Sequence, residues 1–445
     1  MAPNPLPDPA AGLLVELAEW QQVRPEQDVR LRGISFTHDA SAQRIVEALR
    51  SRVDIREGYH GLEIGTTSYV GRVDVGPLRI AIRPKLPTMP LGVLLRYAYG
   101  LRDIETVHET EVPTNWYGFH DLLIALLVAE IEELVHRGLA RRYITEVERL
   151  GSPRGRILVK EIARNGGVVE ARLPCLHFDR RVNWHLNRVL RAGLDMAAGI
   201  TDDRDLRRHV LRIAGSFAEF DRNTRLATDD ILRAERDLTR LTASYAPALT
   251  VIRLLHEMLG VAFGLGEHES HVPGFLFDIN IFFQRLLSRF LHDNLTDVVL
   301  DEWRIRNVFA FAPDANPKRR SAPTPRPDFA LFRSKRLSGF LDAKYRDVWE
   351  RGLPADWLYQ LSIYALAAPN RTSVLLYATT SLDARDEEVH VRQPVKWSDD
   401  RPASVIIRPV PLQRLAELVH PDMARKRSDE RRRMPQDLVY PLRHG

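Results

Sequence analysis

The stretch RPDFALFRSKRLSGFLDAKYR, residues 326–346, sets three ionisable side chains, Asp328, Asp342 and Lys344, into two short runs that are otherwise apolar and β-prone. A polar group in a buried strand is costly unless it is partnered, so three of them need a physical reason. Side chains alternate faces along a strand, which puts Asp342 and Lys344 on one face of FLDAKY and Leu341 and Ala343 on the other. Pro327 stops ladder pairing just before Asp328. With RSKRLSG as the turn, the two runs form a hairpin that brings Asp328 beside Asp342, so that two carboxylates and an ammonium converge.

Two crowded carboxylates repel unless a proton or a cation lies between them. Hard oxygen ligands suit Mg²⁺ or Mn²⁺, which bind through one or two carboxylates together with substrate phosphate oxygens. A lysine beside such an ion positions or deprotonates a water and neutralises charge on the phosphate, so the expected chemistry is metal-assisted phosphodiester hydrolysis. The bland alternative is an exposed Asp342–Lys344 ion pair on an edge strand, with Asp328 as a turn residue. The flanking elements weigh against it. A helix precedes, and the helix ADWLYQLSIYALAA follows with Gln360 and Tyr364 one turn apart on one face, placed to support the site or touch DNA, the alternative being that they pack the helix against the sheet.

The rest of the chain frames this centre. Its 445 residues suggest about three domains at roughly 150 residues each. With 44% hydrophobic residues, 28% charged residues and a net charge of +5, the composition is that of an ordinary soluble protein and permits nucleic-acid binding without demonstrating it. Cys175 is the single cysteine, which excludes an internal disulfide and argues against a cysteine-built zinc site. MAPNPLPDPAAG lacks the features of a signal peptide, and the apolar run LLIALLVA is too short to span a bilayer. A cytoplasmic setting is expected.

The fold class read from the pattern is multidomain α+β. Residues 1–140 read as an N-terminal β-rich domain: AGLLVELAEW has helical spacing, residues 28–37 look extended, and Val53 to Leu86 reads as an antiparallel meander or small barrel punctuated by glycine. Residues 119–138 form an amphipathic helix capped by Gly138. Residues 141–263 read as a mostly helical middle domain, with an extended ITEVERLGSPRGRIL and helices around 182–198 and 203–263. The connector 264–274 leads to an α/β domain at 264–412 with a mixed central sheet, and 413–445 is a charged, solvated tail.

Pro-Asp, thirteen intervening residues and Asp-x-Lys resemble the PD-(D/E)xK nuclease superfamily, whose core is helix–strand–strand–strand–helix. Over roughly residues 50 to 380 the chain also resembles the McrC family, nuclease subunits of McrBC-type, methylation-dependent (type IV) restriction systems used in phage defence. The resemblance runs through GLEIGTTSYVGRVDVGPLRIAIRPKLP, LLRYAYG, RRYITEVERLGSPRGRI, VNWHLNRVLRAGL, FLFDINIFFQRL, PDFALF, LDAKYR and WLYQLSIYAL. It implies a DNA endonuclease whose metal ligands are Asp328, Asp342 and the carbonyl of Ala343. Lys344 would orient or activate the attacking water, with Gln360 in support. It also implies docking on an McrB-like AAA+ GTPase hexamer that acts on double-stranded, cytosine-methylated DNA, with GTP entering only through that partner. The sequence agrees in carrying no G-x-x-x-x-G-K-[ST] phosphate loop. It departs from the family at Gln284, where a glutamate is common, which puts a second metal in question; Asp278 either faces the site or caps its helix.

Further candidates are basic. Lys318, Arg319, Arg320 and Arg326 precede the catalytic strand and, with Tyr364, are candidate DNA contacts, the alternative for the loop being simple solvation. Arg83, Lys85, Arg154 and Arg156 are candidate partner or activator residues, against the alternative of exposed strand faces and turns. His268 and His271 match no zinc spacing. Two other functions stay open: a non-catalytic assembly subunit of such a complex, and a stand-alone nuclease of the same superfamily.

Overall fold

The computed structural model of the chain describes residues 13–101, 119–167, 171–201, 203–217, 226–262, 274–312, 316–392, 402–424 and 426–440. The connector with His268 and His271 therefore lies outside the described residues. The chain forms two compact units, one built from residues 1–119 and 258–445 and the other from residues 120–257. Among the described residues no helix is long and apolar enough to cross a membrane.

In the first unit, the N-terminal strands are β1 (Leu13–Ala18), β2 (Gln22–Val23), β3 (Val53–Gly58), β4 (Gly61–Thr66), β5 (Tyr69–Val75) and β6 (Leu78–Arg83). The second unit holds β7 (Arg142–Leu150), β8 (Arg156–Ile157) and β9 (Leu173–Arg181). The first unit continues with β10 (Gly274–Asp278), β11 (Val298–Asp301), β12 (Phe329–Arg333) and β13 (Arg336–Lys344). It closes its strands with β14 (Thr372–Thr379), β15 (Glu387–Val391) and β16 (Ala403–Pro411).

The glycine-punctuated segment forms two small sheets, ordered β2-β4-β3 and β1-β6-β5-β10, that share one apolar core including Val15, Leu17, Leu62, Ile64, Ile80 and Leu276. Within AGLLVELAEW, expected to be helical, Leu13–Ala18 is strand β1. Leu13, Val15 and Leu17 also alternate with period two, and parallel pairing with β6 buries Val15 and Leu17. Within 28–37, Val29–Leu31 is one turn of 3₁₀ helix capped by Asp28. Strand β10 pairs with β5, so the segment that opens the C-terminal half belongs to the N-terminal sheet.

The six-stranded sheet is ordered β11-β12-β13-β14-β16-β15 and is mixed: β13, β14 and β16 run parallel, while β11, β12 and β15 join antiparallel. The hairpin turn is tighter than RSKRLSG suggested, because Arg333 pairs with Arg336 across Ser334 and Lys335 alone. Both turn residues have positive φ, 48° and 65°, as a type I′ connection demands. Helix Ala355–Ala367 buries Leu361, Tyr364 and Ala365 against Phe340, Leu375, Tyr377, Val405 and Ile407. Helix Ile279–Asn294 buries Phe282, Phe283, Leu286, Leu287 and Phe290.

The second unit is less helical than expected. The 203–263 stretch breaks into helices Arg204–Gly215, Thr228–Arg236 and Ala246–Ala262, and β9, absent from the sequence reading, sits between β7 and β8. Nor is the C-terminal segment a solvated tail. Helices Leu412–Val419 and Ser428–Val439 bury Leu415, Leu418, Leu438 and Val439, and the buried Arg408 guanidinium donates to the carbonyls of Leu438 (3.0 Å) and Tyr440 (2.9 Å).

Gly71 makes the β5–β10 pairing possible. Its φ is +132°, and a Cβ there would lie 2.4 Å from the Phe275 carbonyl oxygen. Gly71→Ala is expected to destabilise the chain by about 1–3 kcal/mol, read as a lower denaturation midpoint. Gly199→Ala, in helix His185–Ile200 with open space around it, should be neutral or stabilising; equal behaviour of the two variants would refute this role for Gly71.

Candidate active site

The β12–β13 register, with Phe329 opposite Leu341, sets Asp328 and Asp342 next to each other at the open end of the hairpin. Asp342 is 2% exposed, and its Oδ2 lies 2.7 Å from the Lys344 ammonium. Asp328 Oδ2 accepts the Ala343 backbone N–H at 2.7 Å, and Oδ1 accepts from the Gln284 side-chain amide at 3.0 Å. Lys344 Nζ lies 5.7 Å from the Trp357 ring centroid. Three of the residues picked from the sequence thus converge with Gln284, and Gln284 orients Asp328 through a neutral donor.

Electrostatics follow from this crowding. Burial, and after it the charge of Asp342, push Asp328 up to about 7, against the pull of Lys344 and the Ala343 N–H. A rise from 3.8 to about 7 is a penalty on the order of 4 kcal/mol on the ionised form. For Lys344, burial alone would lower the pKa, but Asp342 and Asp328 outweigh it and hold the ammonium above its usual value. Gln360 donates to the Tyr364 hydroxyl at 2.6 Å, and burial, then Asp342, push that phenol up to about 12. Tyr364 is 1% exposed and packs its helix against the sheet, so it is not placed to touch DNA.

The sequence reading missed Glu302. It follows β11 with positive φ, donates its backbone N–H to the Asp328 carbonyl at 2.8 Å, and adds negative charge near Asp328. The acidic pair in VVLDEW was the available signal, but its register against β12 could not be seen. Arg326 pairs with Glu302, whereas Lys318, Arg319 and Arg320 stand exposed in the preceding loop. Asp278 caps helix Ile279–Asn294, accepting from the Asn280 N–H at 2.9 Å, rather than facing the site.

A family model described as "McrBC 5-methylcytosine restriction system component" matches residues 64–378, well over half of the chain. The chain belongs to this family. No curated protein matches it. Among solved structures, this McrBC-family chain is similar to one from the "Refined half-complex from tetradecameric assembly of Thermococcus gammatolerans McrB AAA+ hexamers with bound McrC", with a TM-score of 0.60 and 19% identity over 91% of this chain and 98% of that one. It also matches a chain of the Thermococcus gammatolerans McrBC complex, at a TM-score of 0.44 and 18% identity over 64% of this chain and 89% of that one. The first likeness supports the McrC-type fold.

The candidate partner residues of this McrBC-family chain fall in different places. Arg83 pairs with Glu16 on the neighbouring strand. Lys85 turns its ammonium inward onto the carbonyls of Tyr345 and Ala378, which removes it as a partner contact. Arg156 is exposed on β8, and Arg154 pairs with Asp179 at 2.5 Å. Glu146, His177 and Asp179 approach one another within metal-ligand range, but Arg181 (2.6 Å from Glu146) and Arg154 already occupy the two carboxylates.

If Gln284 is the amide that steadies Asp328, Gln284→Glu exchanges that donor for a third negative charge. The variant is expected to bind Mn²⁺ several-fold more tightly in a titration followed by electron paramagnetic resonance. Without metal it should lose about 1–3 kcal/mol of stability. Unchanged values for both would place Gln284 outside the site.

Proposed function

We propose that this chain is the DNA-cleaving subunit of a modification-dependent restriction complex, hydrolysing phosphodiesters at Asp328, Asp342 and Lys344 and working with an AAA+ GTPase hexamer. The observation that carries the reading is the convergence of two carboxylates and an ammonium at the end of one hairpin, with Asp328 pushed up to about 7 by burial and by Asp342. The donor set fits Mg²⁺ or Mn²⁺: Asp328, Asp342 and the Ala343 carbonyl offer hard oxygens, and positive charge relieves the penalty on ionised Asp328. Such an ion, when bound, polarises the phosphate and makes a coordinated water more acidic.

The chain's own groups supply the positioning. The Ala343 N–H and the Gln284 amide fix both oxygens of Asp328, so its orientation is set before substrate arrives. Because its neighbours raise the Lys344 pKa, the side chain stays an ammonium at neutral pH. In that form it orients water and offsets charge growing on the phosphate. The exposed Lys318, Arg319 and Arg320 hold the duplex by its phosphates.

The partner follows from family membership and from the similar structure, in which McrC is bound to McrB AAA+ hexamers. GTP hydrolysis then resides in that partner, in keeping with a sequence lacking the phosphate loop. Methylated cytosine is the modification implied by the family description.

With partner, GTP, Mg²⁺ and methylated DNA, the parent chain should cleave, and EDTA should stop cleavage until Mg²⁺ or Mn²⁺ is restored. Asp342→Asn and Lys344→Met should each lower the rate by on the order of 10²–10³-fold while the partner's GTPase stays stimulated. Cleavage by both variants at the parent rate would sink the site assignment; none by the parent would favour an assembly subunit, and cleavage without any partner a stand-alone nuclease.

Replacing Lys318, Arg319 and Arg320 together by alanine should weaken DNA binding at all sequences and reduce the slope of log K against log salt by about 2–3, near 0.9 for each phosphate no longer neutralised. An unchanged slope would mark the loop as solvated only.

A further inference from the structure

An amine from the N-terminal sheet grips the end of the strand that carries Asp342 and Lys344. Lys85, two residues beyond β6, donates from its ammonium to the Tyr345 carbonyl at 2.6 Å and to the Ala378 carbonyl at 2.8 Å. The same Nζ lies 4.2 Å from the Tyr345 ring centroid. Tyr345 directly follows Lys344, and Ala378 is on β14, the parallel neighbour whose Tyr377 pairs with Lys344. One cation therefore ties together the ends of two adjacent parallel strands, the first of which carries Asp342, Ala343 and Lys344.

The surroundings fix the amine in turn. Buried Glu19, just beyond β1, accepts the Lys85 backbone N–H at 2.9 Å, and its carboxylate lies beside the Tyr345 hydroxyl. The Tyr345 N–H donates to Asn280 Oδ1 at 3.2 Å, and the Phe283 ring meets the Tyr345 ring at 5.9 Å. Arg351 donates to the Trp20 carbonyl, and Arg346 lies over the Trp20 ring at 5.7 Å. The Tyr345 peptide is thus held at both its N–H and its C=O where the chain leaves β13.

This arrangement is poorly explained by stability. Burial pushes Glu19 up to about 7 and Lys85 down to about 8 despite their mutual attraction, with Asp347 and Arg351 the other charges bearing on the pair. Burying two opposite charges near one another stabilises little compared with apolar side chains of similar volume, and the best-attested role of such groups is to fix register.

We propose that Lys85 is a positioning residue for DNA cleavage: by clamping the carbonyls of Tyr345 and Ala378 it fixes where Lys344 and Asp342 stand relative to Asp328, and Glu19 holds the clamp in place. The inference rests on the reading of Asp328, Asp342 and Lys344 as the cleavage site. It makes that site depend on residues 260 positions earlier in the chain.

The test compares the full-length parent with Lys85→Met, Lys85→Arg, Glu19→Gln and Asp342→Asn. Mn²⁺ affinity of the chain is read by electron paramagnetic resonance, and kcat and KM for methylated DNA are read with the AAA+ partner and GTP. Lys85→Met should bind Mn²⁺ several-fold more weakly and lose on the order of 10²-fold in kcat, the cost of about 1 Å of misplacement, with KM for DNA and GTPase stimulation unchanged. Lys85→Arg should recover part of both, and Glu19→Gln should lie between parent and Lys85→Met. Parent-like Mn²⁺ affinity and kcat in Lys85→Met, while Asp342→Asn is inactive, would overturn the inference and leave the cleavage site standing. Cleavage by Asp342→Asn would instead overturn the site reading beneath it. If Lys85→Met does not fold, Glu19→Gln and Lys85→Arg decide, and parent-like metal affinity in both overturns the proposal.

Discussion

Two carboxylates forced together at the end of one hairpin are the constraint around which the C-terminal half is arranged. Burial and the charge of Asp342 raise the cost of ionising Asp328, and the neighbours answer that crowding: the Lys344 ammonium lies against Asp342, and the Ala343 N–H and the Gln284 amide donate to Asp328. The arrangement tolerates no slip, since a one-residue shift of β13 would turn Asp342 and Lys344 to the opposite face of the sheet. Register is set by the two-residue turn at Ser334–Lys335, by a one-residue shift in the ladder between Leu331 and Phe332, without which Asp328 would stand opposite Leu341, and by the parallel pairing of β13 with β14.

The N-terminal sheet is part of this arrangement. Strand β10 pairs with β5, ends at Asp278, and hands the chain directly to the helix that carries Asn280, Phe283 and Gln284. Gln284 reaches Asp328, while Asn280 and Phe283 reach Tyr345. The end of β13 is therefore braced by a helix launched from the N-terminal sheet and by Lys85, two residues beyond that sheet's β6. The unit of residues 120–257 supplies none of these side chains. It has its own core around Leu190, Leu194, Leu249 and Ile252, and the strands of its sheet show Tyr143, Val147 and Phe178 to solvent.

How much of this was legible depended on the range of the interaction. The hairpin residues could be read because strand alternation is a local rule, whereas the turn was read as longer than its two residues and the register shift between Leu331 and Phe332 was not seen. β1 was misread because LLVELA fits both helical and strand spacing, and parallel pairing with a strand more than sixty positions away decided the matter. The long 203–263 helix was an over-reading of continuous Arg, Leu and Ala, which favour helix locally but do not mark where one ends. Glu302 and Glu19 were invisible as site neighbours because each reaches its partner across a long sequence separation.

By itself the sequence determined the chemical inventory: the mixed α+β class, the spacing of Asp328, Asp342 and Lys344, and the absence of a phosphate loop, all of which follow from residue type and short-range periodicity. Tertiary structure alone decided what those groups touch. It buried Tyr364, turned the Lys85 ammonium inward onto two carbonyls, and gave Gln284 to Asp328 as a donor. The physical reason is that burial and hydrogen-bond partnership arise from packing between elements far apart in the chain, which no local pattern encodes.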